Sequence, residues 1–470
     1  MCFLFVLSFV LFHCMFWFQY FLKFSKVLYT CFLYLFYGLK KLFAVVFGLI
    51  ILFGVLSVFL FFPDFSVVDP VNPASTVSTS ANSLLVMPES VDDSGSSDSN
   101  IWSVASSNNK FAFDFYEVAN EDANMFFSPY SISSALALTY EGAGSKTASQ
   151  IQEVFYFPKK DVLRPGFAGI YNILNSGDKS YELSSANALW AEKSYGFDPD
   201  YFSVINQFYG GRVNDLDFVN SPEESRKVIN EWVSINTNGK IENLLKKRFV
   251  SSDTRLVLTN AVYFRGDWAS QFDEGLTTDY DFVKSDGSVV KVPMMKLFDS
   301  EFDYFENDVV EVLKMDYEGG DLSMFVLLPK EDLVSLESVL SYKNFDSWSN
   351  SVAVSKVDVF FPKFKLESEY DLLNSLTSLG MPLAFDSGKA DFSGMTGSRG
   401  LFISSVVHKG FVEVNEQGTE AAAATGVGMG VTSVDPNPPK QFIANHPFIF
   451  VIKDNNSGSV LFMGKVVDPS

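Results

Sequence analysis

Residues Glu413–Pro439 read EVNEQGTEAAAATGVGMGVTSVDPNPP and form the most informative segment of the chain. With a period of two, the odd positions from Thr419 to Val431 are small and then apolar, whereas the even positions are small or polar. This alternation predicts a latent β-strand with one buried face. Glycines, an alanine run and three prolines downstream disfavour such a strand at the surface. The segment therefore indicates an exposed loop that could later be inserted between existing strands; a merely flexible loop is the alternative.

The residues around this loop predict a mixture of helices followed by strands. Ser128-Pro129 has the form of a helix start, with Ser as the cap and Pro in the first turn. The apolar runs Leu256–Phe264 and Leu322–Leu328 are typical of buried strands. Asp454–Gly458 is a hairpin turn signal between two more such runs. Helices dominate the first part and strands the rest, so the predicted fold class is α+β.

Composition narrows the possible functions. The chain has 470 residues, of which 47% are hydrophobic and 19% charged. The first 62 residues contain four lysines and no acid, so the remainder carries all 56 acidic residues against 31 of the 35 basic ones, a net charge of −25. An acidic body of this kind disfavours nucleic acid as a partner. All three cysteines (Cys2, Cys14, Cys31) also lie in the first segment, and only His408 and His446 follow it. Zinc enzymes and cysteine proteases are therefore excluded, and we expect no cofactor and no metal site.

Two apolar runs in Met1–Phe62 predict a membrane anchor of one or two transmembrane helices. Leu42–Phe62 is uncharged over 21 residues, about 31 Å as a helix, which matches the hydrocarbon core of a bilayer. Cys2–Leu22 is a second run, and the four lysines lie between the two. Because positive charge stays on the cytoplasmic side, we expect everything after Phe62 to be extracellular and tethered to the cell membrane. The alternative is a cleaved signal peptide and a secreted body.

The character of the chain changes twice after the anchor. Pro63–Asn108 is rich in Ser, Pro, Asp and Asn and has no Lys or Arg, which predicts a disordered linker. From Asn109 to Ser470 the pattern is that of one globular domain. The spacing of Phe111, Phe115 and Val118 predicts an amphipathic helix at its beginning.

The chain carries no recognisable catalytic motif. It contains no G-x-S-x-G elbow, no H-E-x-x-H and no Walker loop. The glycines of Gly426–Gly430 lack the lysine and the following helix of a phosphate-binding loop. His408 lies in the apolar strand pattern Ile403–Val414, which favours a buried structural histidine over a member of a catalytic triad. We therefore do not expect an enzyme.

Eight short motifs, in order along the body, resemble the signatures of the serpin family. The resemblance implies a serpin fold with three β-sheets, eight or nine helices and an exposed reactive-centre loop. It also implies a suicide-substrate mechanism, in which a serine protease is acylated by the loop and the cleaved loop then inserts as a new strand into the largest sheet. The motifs are Asn124–Ile132, Gly142–Gly144 with Thr147 and Gln150, Asn260–Trp268, Pro362–Phe364, Asp391–Met395, His408-Lys409, Glu413–Ala421 and His446–Phe448.

The resemblance allows the loop to be aligned by counting. In the family the glutamate of the E-x-G-T pattern lies sixteen residues before the residue that supplies the scissile carbonyl, and counting from Glu416 gives the bond Thr432–Ser433. Val431–Thr432 and Met429–Gly430 are the competing bonds. The small residues of the hinge match inhibitory members, and they are Gly418, Thr419, Glu420, Ala421, Ala422, Ala423 and Ala424.

Two further groups of residues match structural parts of the family's machinery. The "shutter", a hydrogen-bond network beneath the sheet that opens for insertion, is matched by Ser128, Ser131, Asn260 and His408. The "breach", where the first loop residues enter the sheet, is matched by Trp268, Lys363 and Glu416.

The predicted partner is a serine protease that prefers a small or β-branched residue before the cut, as elastase-like and subtilisin-like enzymes do. No Lys or Arg occurs from Glu416 to Pro439, so a trypsin-like enzyme would leave its pocket carboxylate unpaired. The alternative function is a non-inhibitory surface binding module that uses the serpin scaffold.

Overall fold

A computed structural model of the protein describes residues 87–175, 177–419 and 438–470, which contain ten α-helices and fifteen β-strands. The helices are α1 (Asp98–Ala119), α2 (Pro129–Gly142), α3 (Ser145–Val154), α4 (Lys160–Asn175), α5 (Pro199–Phe208), α6 (Pro222–Asn236), α7 (Leu333–Glu337), α8 (Tyr342–Ser349), α9 (Leu373–Leu379) and α10 (Ser393–Thr396). The strands are β1 (Met125–Phe127), β2 (Tyr181–Glu192), β3 (Arg212–Leu216), β4 (Leu256–Asp267), β5 (Thr278–Val283), β6 (Val289–Glu306), β7 (Val310–Asp316), β8 (Leu322–Pro329), β9 (Ala353–Pro362), β10 (Phe364–Asp371), β11 (Ser405–Val414), β12 (Gly418–Thr419), β13 (Lys440–Ile443), β14 (Phe448–Asp454) and β15 (Val460–Val466).

The first helix begins earlier than the sequence predicts. The predicted boundary at Asn109 is wrong, because α1 begins at Asp98 and already buries Val104 in the core. Ser107 is compatible with this helix because its hydroxyl lies within hydrogen-bond distance of two main-chain carbonyls, those of Ser103 (2.9 Å) and Tyr156 (2.8 Å). Residues 98–108 therefore belong to the globular domain and not to the linker.

Residues 87–97, which we call the N-terminal strap, are also bonded to the domain. The amide side chain of Asn172 on α4 pairs with the main chain of Val91, accepting from its N–H and donating to its carbonyl, both at 2.9 Å. On α5, the Gln207 carbonyl accepts from the Asp92 N–H at 2.8 Å. The Met87 N–H donates to Asn236 Oδ1 at the end of α6 (3.1 Å). The strap thus contacts three helices before the chain enters α1.

Six strands form the sheet that carries the functional region, in the order β10-β11-β12-β4-β2-β3. Strands β10 and β11 are antiparallel, as are β2 and β4, whereas β11 and β4 run parallel to each other. The predicted strand Leu256–Phe264 is confirmed as part of β4.

The remaining nine strands form a single hydrogen-bonded path, β1-β15-β14-β8-β7-β6-β9-β13, with β5 paired to β6. The expectation of three sheets is therefore corrected to two in the described residues, because the 18-residue strand β6 joins both halves of this path. It pairs with β9 from Met294 to Tyr304 and with β7 from Asp303 to Glu306. The described residues contain ten helices, one more than the upper expectation.

The two faces of the six-stranded sheet bury different cores. The main core contains side chains of both sheets and of α1–α5, and Val406 and Val412 of β11 belong to it. A smaller core lies between the outer face and α6, with Val257, Val407 and Trp232 among its members. Alternate residues of β4 and β11 therefore point to opposite cores.

Within the described ranges, no helix combines the length and the apolar character needed to cross a bilayer. The predicted anchor Met1–Phe62 lies outside those ranges, as does the predicted linker up to residue 86.

Candidate functional site

The parallel strands β4 and β11 meet along what we call the seam, which runs over seven residue pairs from Val257–Ser405 to Tyr263–Phe411. Each strand has an antiparallel neighbour on its other side. A strand that entered the seam antiparallel to both would therefore replace one parallel pairing by two antiparallel ones, which are slightly more stable per residue.

The first two hinge residues already lie at the upper end of the seam. Gly418 and Thr419 form the short strand β12, in which Thr419 pairs with Val414 of β11 and with Gly266 of β4. A β-carbon on Gly418 would lie 2.1 Å from the Gly266 carbonyl oxygen, so only glycine allows this close approach. Thr419 is fully buried, and its hydroxyl hydrogen-bonds to that of Tyr317 at 3.0 Å.

A tight reversal delivers the chain from β11 into β12. The Asn415 N–H donates to the Gly418 carbonyl (2.9 Å), and Asn415 Oδ1 accepts from the N–H groups of Gln417 (3.1 Å) and Gly418 (3.2 Å). The side chain of Asn415 therefore holds the turn that aims the loop into the seam.

The predicted breach residues come together around this turn. Lys363 Nζ lies 2.8 Å from Glu416 Oε2, and the Thr277 hydroxyl donates to Oε1 at 2.8 Å. Trp268 contacts the same turn: its main-chain N–H donates to the Gln417 carbonyl (2.7 Å) and its Nε1–H to that of Asn415 (3.1 Å). Burial alone would raise the pKa of Glu416, but the Lys363 ammonium and the Thr277 hydroxyl outweigh it and lower the pKa. Glu416 is therefore held as a carboxylate that fixes the hinge.

Three aromatic rings pack together next to the hinge. Tyr317 stacks on Trp268 with ring centroids 4.6 Å apart and meets the edge of Phe264 at 5.2 Å. Burial raises the pKa of Tyr317, so its hydroxyl stays protonated and available for Thr419. Tyr317 and Asn415 were not predicted as site residues: Tyr317 belongs to no local motif, and Asn415 lies within the motif Glu413–Ala421, whose pattern does not indicate its role in the turn.

The four predicted shutter residues lie together beneath the seam. The Ser128 N–H donates to His408 Nε2 (3.0 Å), and the Ser131 N–H donates to Ser128 Oγ (3.2 Å). Asn260 Nδ2 donates to Ser131 Oγ (2.5 Å) and to Asn187 Oδ1, which also accepts from Ser131 Oγ at 2.8 Å. All five residues are buried.

The strand register arranges part of this network as a row. Tyr370 pairs with His408, His408 with Asn260, and Asn260 with Asn187, so the row crosses β10, β11, β4 and β2 at one level. Because His408 Nε2 accepts from Ser128, the ring proton lies on Nδ1 and is donated to Asn260 Oδ1 across the seam. Complete burial lowers the pKa of His408 to about 3, so the ring is neutral at physiological pH.

Asn187 and Tyr370 were not predicted. The available signal for Asn187 was a single amide within the apolar run Ala186–Ala191, which indicates a buried polar group but not its partner. The other predicted loop residues, namely the hinge residues Glu420–Ala424 and the bonds at Met429, Gly430, Val431, Thr432 and Ser433, lie outside the described residues. The described ranges hold no cluster of three or more potential metal ligands.

Comparisons with known proteins identify the family. A sequence model described as "Serpin (serine protease inhibitor)" matches residues 106–469. An uncharacterized serpin-like protein of Methanosarcina mazei is 41% identical over 378 residues, covering 78% of this chain and 88% of its own length. Leukocyte elastase inhibitor A of Mus musculus is 41% identical over 381 residues, covering 78% and 99%. Among solved structures, human thyroxine-binding globulin is 31% identical, with a TM-score of 0.71 and coverage of 79% and 100%.

Proposed function

Since the chain belongs to the serpin family, we propose that it inhibits serine proteases by presenting a scissile loop that, once cleaved and acylated, inserts into the seam. The observation that carries this proposal is β12, because the first two hinge residues already pair with both walls of the seam. The similarity to a mouse elastase inhibitor supports the same reading.

The register of β12 predicts where the rest of the loop would lie after insertion. Each residue beyond Thr419 would pair one position earlier on both β4 and β11. Gly428 would then reach Val257 and Ser405, which are themselves the first pair of the seam. At about 3.4 Å per residue, the inserted strand would extend roughly 34 Å from Gly418. Counting along β4 and counting along β11 therefore give the same register for the inserted strand from Gly418 to Gly428.

The same register assigns the faces of the inserted strand. Thr419 points into the main core, so the following odd-numbered residues would do so as well. Val427 would gain about 1.5–3 kcal/mol by burial. Thr425 would lie between Asn260 and His408, where its hydroxyl can replace the hydrogen bond that insertion breaks. From Ala422 to Gly428 the opposite face would carry only alanines and glycines, which leave room for α6.

Backbone pairing supplies the rest of the driving force. About one net hydrogen bond per inserted residue, at about 1 kcal/mol each, adds up to roughly 10 kcal/mol. Gly426, Gly428 and Gly430 oppose this by about 0.5–1 kcal/mol each relative to alanine. The balance favours insertion, and its speed relative to deacylation decides whether the protease is trapped.

We propose Thr432–Ser433 as the reactive bond, and an elastase-like or subtilisin-like serine protease as the target. A bond at Thr432 follows the predicted end of the inserted strand by four residues, which leaves a short connection to the acylated protease. A bond at Met429 would leave almost none.

The test is incubation of the full-length protein with elastase-like and subtilisin-like proteases, followed by electrophoresis in SDS and mass spectrometry of the released peptide. We expect an SDS-stable complex and a fragment that begins at Ser433. A fragment beginning at Thr432 or Gly430 would move the bond to Val431 or Met429. Cleavage without any complex would refute the inhibitory mechanism.

That last outcome would favour the second candidate, a non-inhibitory binding module. The likeness to thyroxine-binding globulin and the three alternating glycines of the loop support this alternative. The protease panel distinguishes the two functions directly.

For location, we propose that Met1–Phe62 retains the protein in the cell membrane with the serpin domain outside. The support is the 21-residue uncharged run Leu42–Phe62 and the lysines that precede it. Recovery of a mature protein that begins after Phe62 and is free in the medium would instead establish secretion.

A further inference from the structure

A cleft of about 390 Å³ opens at the end of the seam opposite to the hinge, and we call it the end cleft. It is lined by Val257 and Ser405, the first pair of β4 and β11. Four more lining residues determine its chemistry: Asp371 at the end of β10, Asp253 in the loop before β4, Phe249 and Phe402. The end cleft therefore includes both walls of the seam.

One polar group in this lining has no partner. Ser405 is only 6% exposed, and within the described part of the chain its hydroxyl oxygen makes no hydrogen bond. The neighbouring hydroxyls do have partners: Ser404 Oγ accepts from the Arg255 N–H, and Thr254 Oγ1 accepts from the Ser251 N–H, both at 3.0 Å. Because a buried hydroxyl without a partner is costly, Ser405 is suited to a ligand that can supply one.

The charges in the lining indicate the sign of that ligand. Asp253 and Asp371 are exposed carboxylates, and no Lys or Arg is among the described residues that line the end cleft. Phe249 and Phe402 add aromatic surface, which attracts cations as well as apolar groups. The strongly acidic body also raises the local concentration of cations.

We propose that the end cleft binds a small organic cation. Its ammonium group would donate to the carboxylates of Asp253 and Asp371 and to the Ser405 hydroxyl oxygen, while its apolar part packs on Phe249 and Phe402.

The position of the end cleft couples this site to the proposed insertion mechanism, and this part of the inference rests on that mechanism. A bound cation contacts Asp253, in the loop before β4, and Ser405 of β11 together only while β4 and β11 are paired at this end. Ligands that prefer one state shift the equilibrium toward it. At ten times its dissociation constant, such a ligand favours the closed seam by about 11-fold. We therefore expect an occupied end cleft to slow insertion and to let more of the protease escape by deacylation.

The first experiment measures binding to the full-length protein by calorimetry, with benzylamine as the cationic probe and benzyl alcohol as its neutral counterpart. We expect benzylamine to bind at least about tenfold more tightly, in line with charge-assisted hydrogen bonds. Ser405→Ala should weaken benzylamine about fivefold, the value of one ordinary hydrogen bond. Asp253→Asn and Asp371→Asn should each weaken it about threefold.

Asp279→Asn is the matched control, because it removes an exposed carboxylate from β5, on the other sheet, and should leave the affinity unchanged. Unfolding midpoints without ligand show whether each variant still folds. Equal affinities for benzylamine and benzyl alcohol would overturn the cation site. The cation site would also be overturned if the affinity for benzylamine were unchanged in Ser405→Ala, Asp253→Asn and Asp371→Asn.

The second experiment measures how many inhibitor molecules are consumed per protease molecule trapped, with and without benzylamine. We expect this ratio to rise with benzylamine in the parent and to rise less in Ser405→Ala at the same concentration, because the variant binds about fivefold more weakly. The activity of the protease alone serves as the control. Binding without any change in the ratio would overturn the coupling alone. Failure to form a covalent complex in the absence of benzylamine would refute the proposed function and leave the calorimetric result standing.

Discussion

Replacing Thr419 by arginine tests the insertion mechanism at the residue where it begins. Thr419 is fully buried, and its hydroxyl is bonded to Tyr317. Thr419→Arg leaves the buried hydroxyl of Tyr317 unpaired, at a cost of about 1–3 kcal/mol. Burying an unpaired guanidinium costs several kcal/mol more. Because Thr419 is already buried before cleavage, the guanidinium would expel the hinge from the seam, and insertion would then have to bury it. A penalty of about 4 kcal/mol at that step would slow insertion by about 10³-fold, because each 1.4 kcal/mol is a factor of ten.

The assay follows the partition between trapping and cleavage for the full-length protein and a responsive protease. We expect the parent to form an SDS-stable complex and Thr419→Arg to be cleaved at the same bond without trapping. Thr419→Val is the matched control, because it keeps the shape of the side chain and loses only the hydrogen bond. It should retain the complex with at most about a tenfold slower insertion, equivalent to about 1.4 kcal/mol. If Thr419→Arg traps protease as well as the parent does, insertion at this position is not the mechanism.

Three further predictions concern the shutter, its pH dependence and the tether. Asn187→Ala removes the acceptor of two buried donors, and urea denaturation should show a free energy of unfolding lower by about 2–4 kcal/mol. Asn220→Ala, at an exposed position, is the control, and an equally small loss in both variants would contradict the network. Because the pKa of His408 is lowered to about 3, the unfolded chain binds a proton between pH 6.5 and pH 3 that the folded chain does not, so stability should fall as pH falls through this window. His408 should contribute up to about 1.4 kcal/mol per pH unit to the slope of the free energy of unfolding against pH. If His408→Gln shows the same slope as the parent, His408 is not the group responsible. A protease added outside intact cells should release a fragment cut between residues 63 and 86, since Met87 onward is bonded to the domain; release of nothing would argue against an external tether.

The sequence predicted the elements whose pattern is local. The strand Leu322–Leu328 and the start of α2 at Pro129 follow from apolar runs and from a cap that the structure retains, with Ser128 Oγ accepting from the Ser131 N–H. The start of α1 was missed because Ser, Asp and Asn are typical of linkers. In this helix, however, main-chain carbonyls accept the hydrogen bond of the Ser107 hydroxyl, so the side chain is buried with a partner.

The candidate site could be predicted only where the family resemblance supplied it. Glu416 and Lys363 lie 53 positions apart, and no periodicity connects them. Asn187 enters the site because strand register places it opposite Asn260, and Tyr317 enters it through a hydrogen bond with Thr419, which lies 102 positions away. The register between strands that are distant in sequence is set by the packing of the whole sheet, so it cannot be predicted from the local pattern of a single sequence.

The N-terminal strap fixes where the domain is attached to the rest of the chain. Met87 bonds to Asn236 at the end of α6, and Asn238 just beyond bonds to Glu182 near the start of β2. Tyr181 at that start pairs with Gly266, the same residue that pairs with Thr419. The attachment point and the hinge therefore share one pole of the domain. A protease carried along the seam would finish at the opposite pole, away from Met87, the first described residue of the strap.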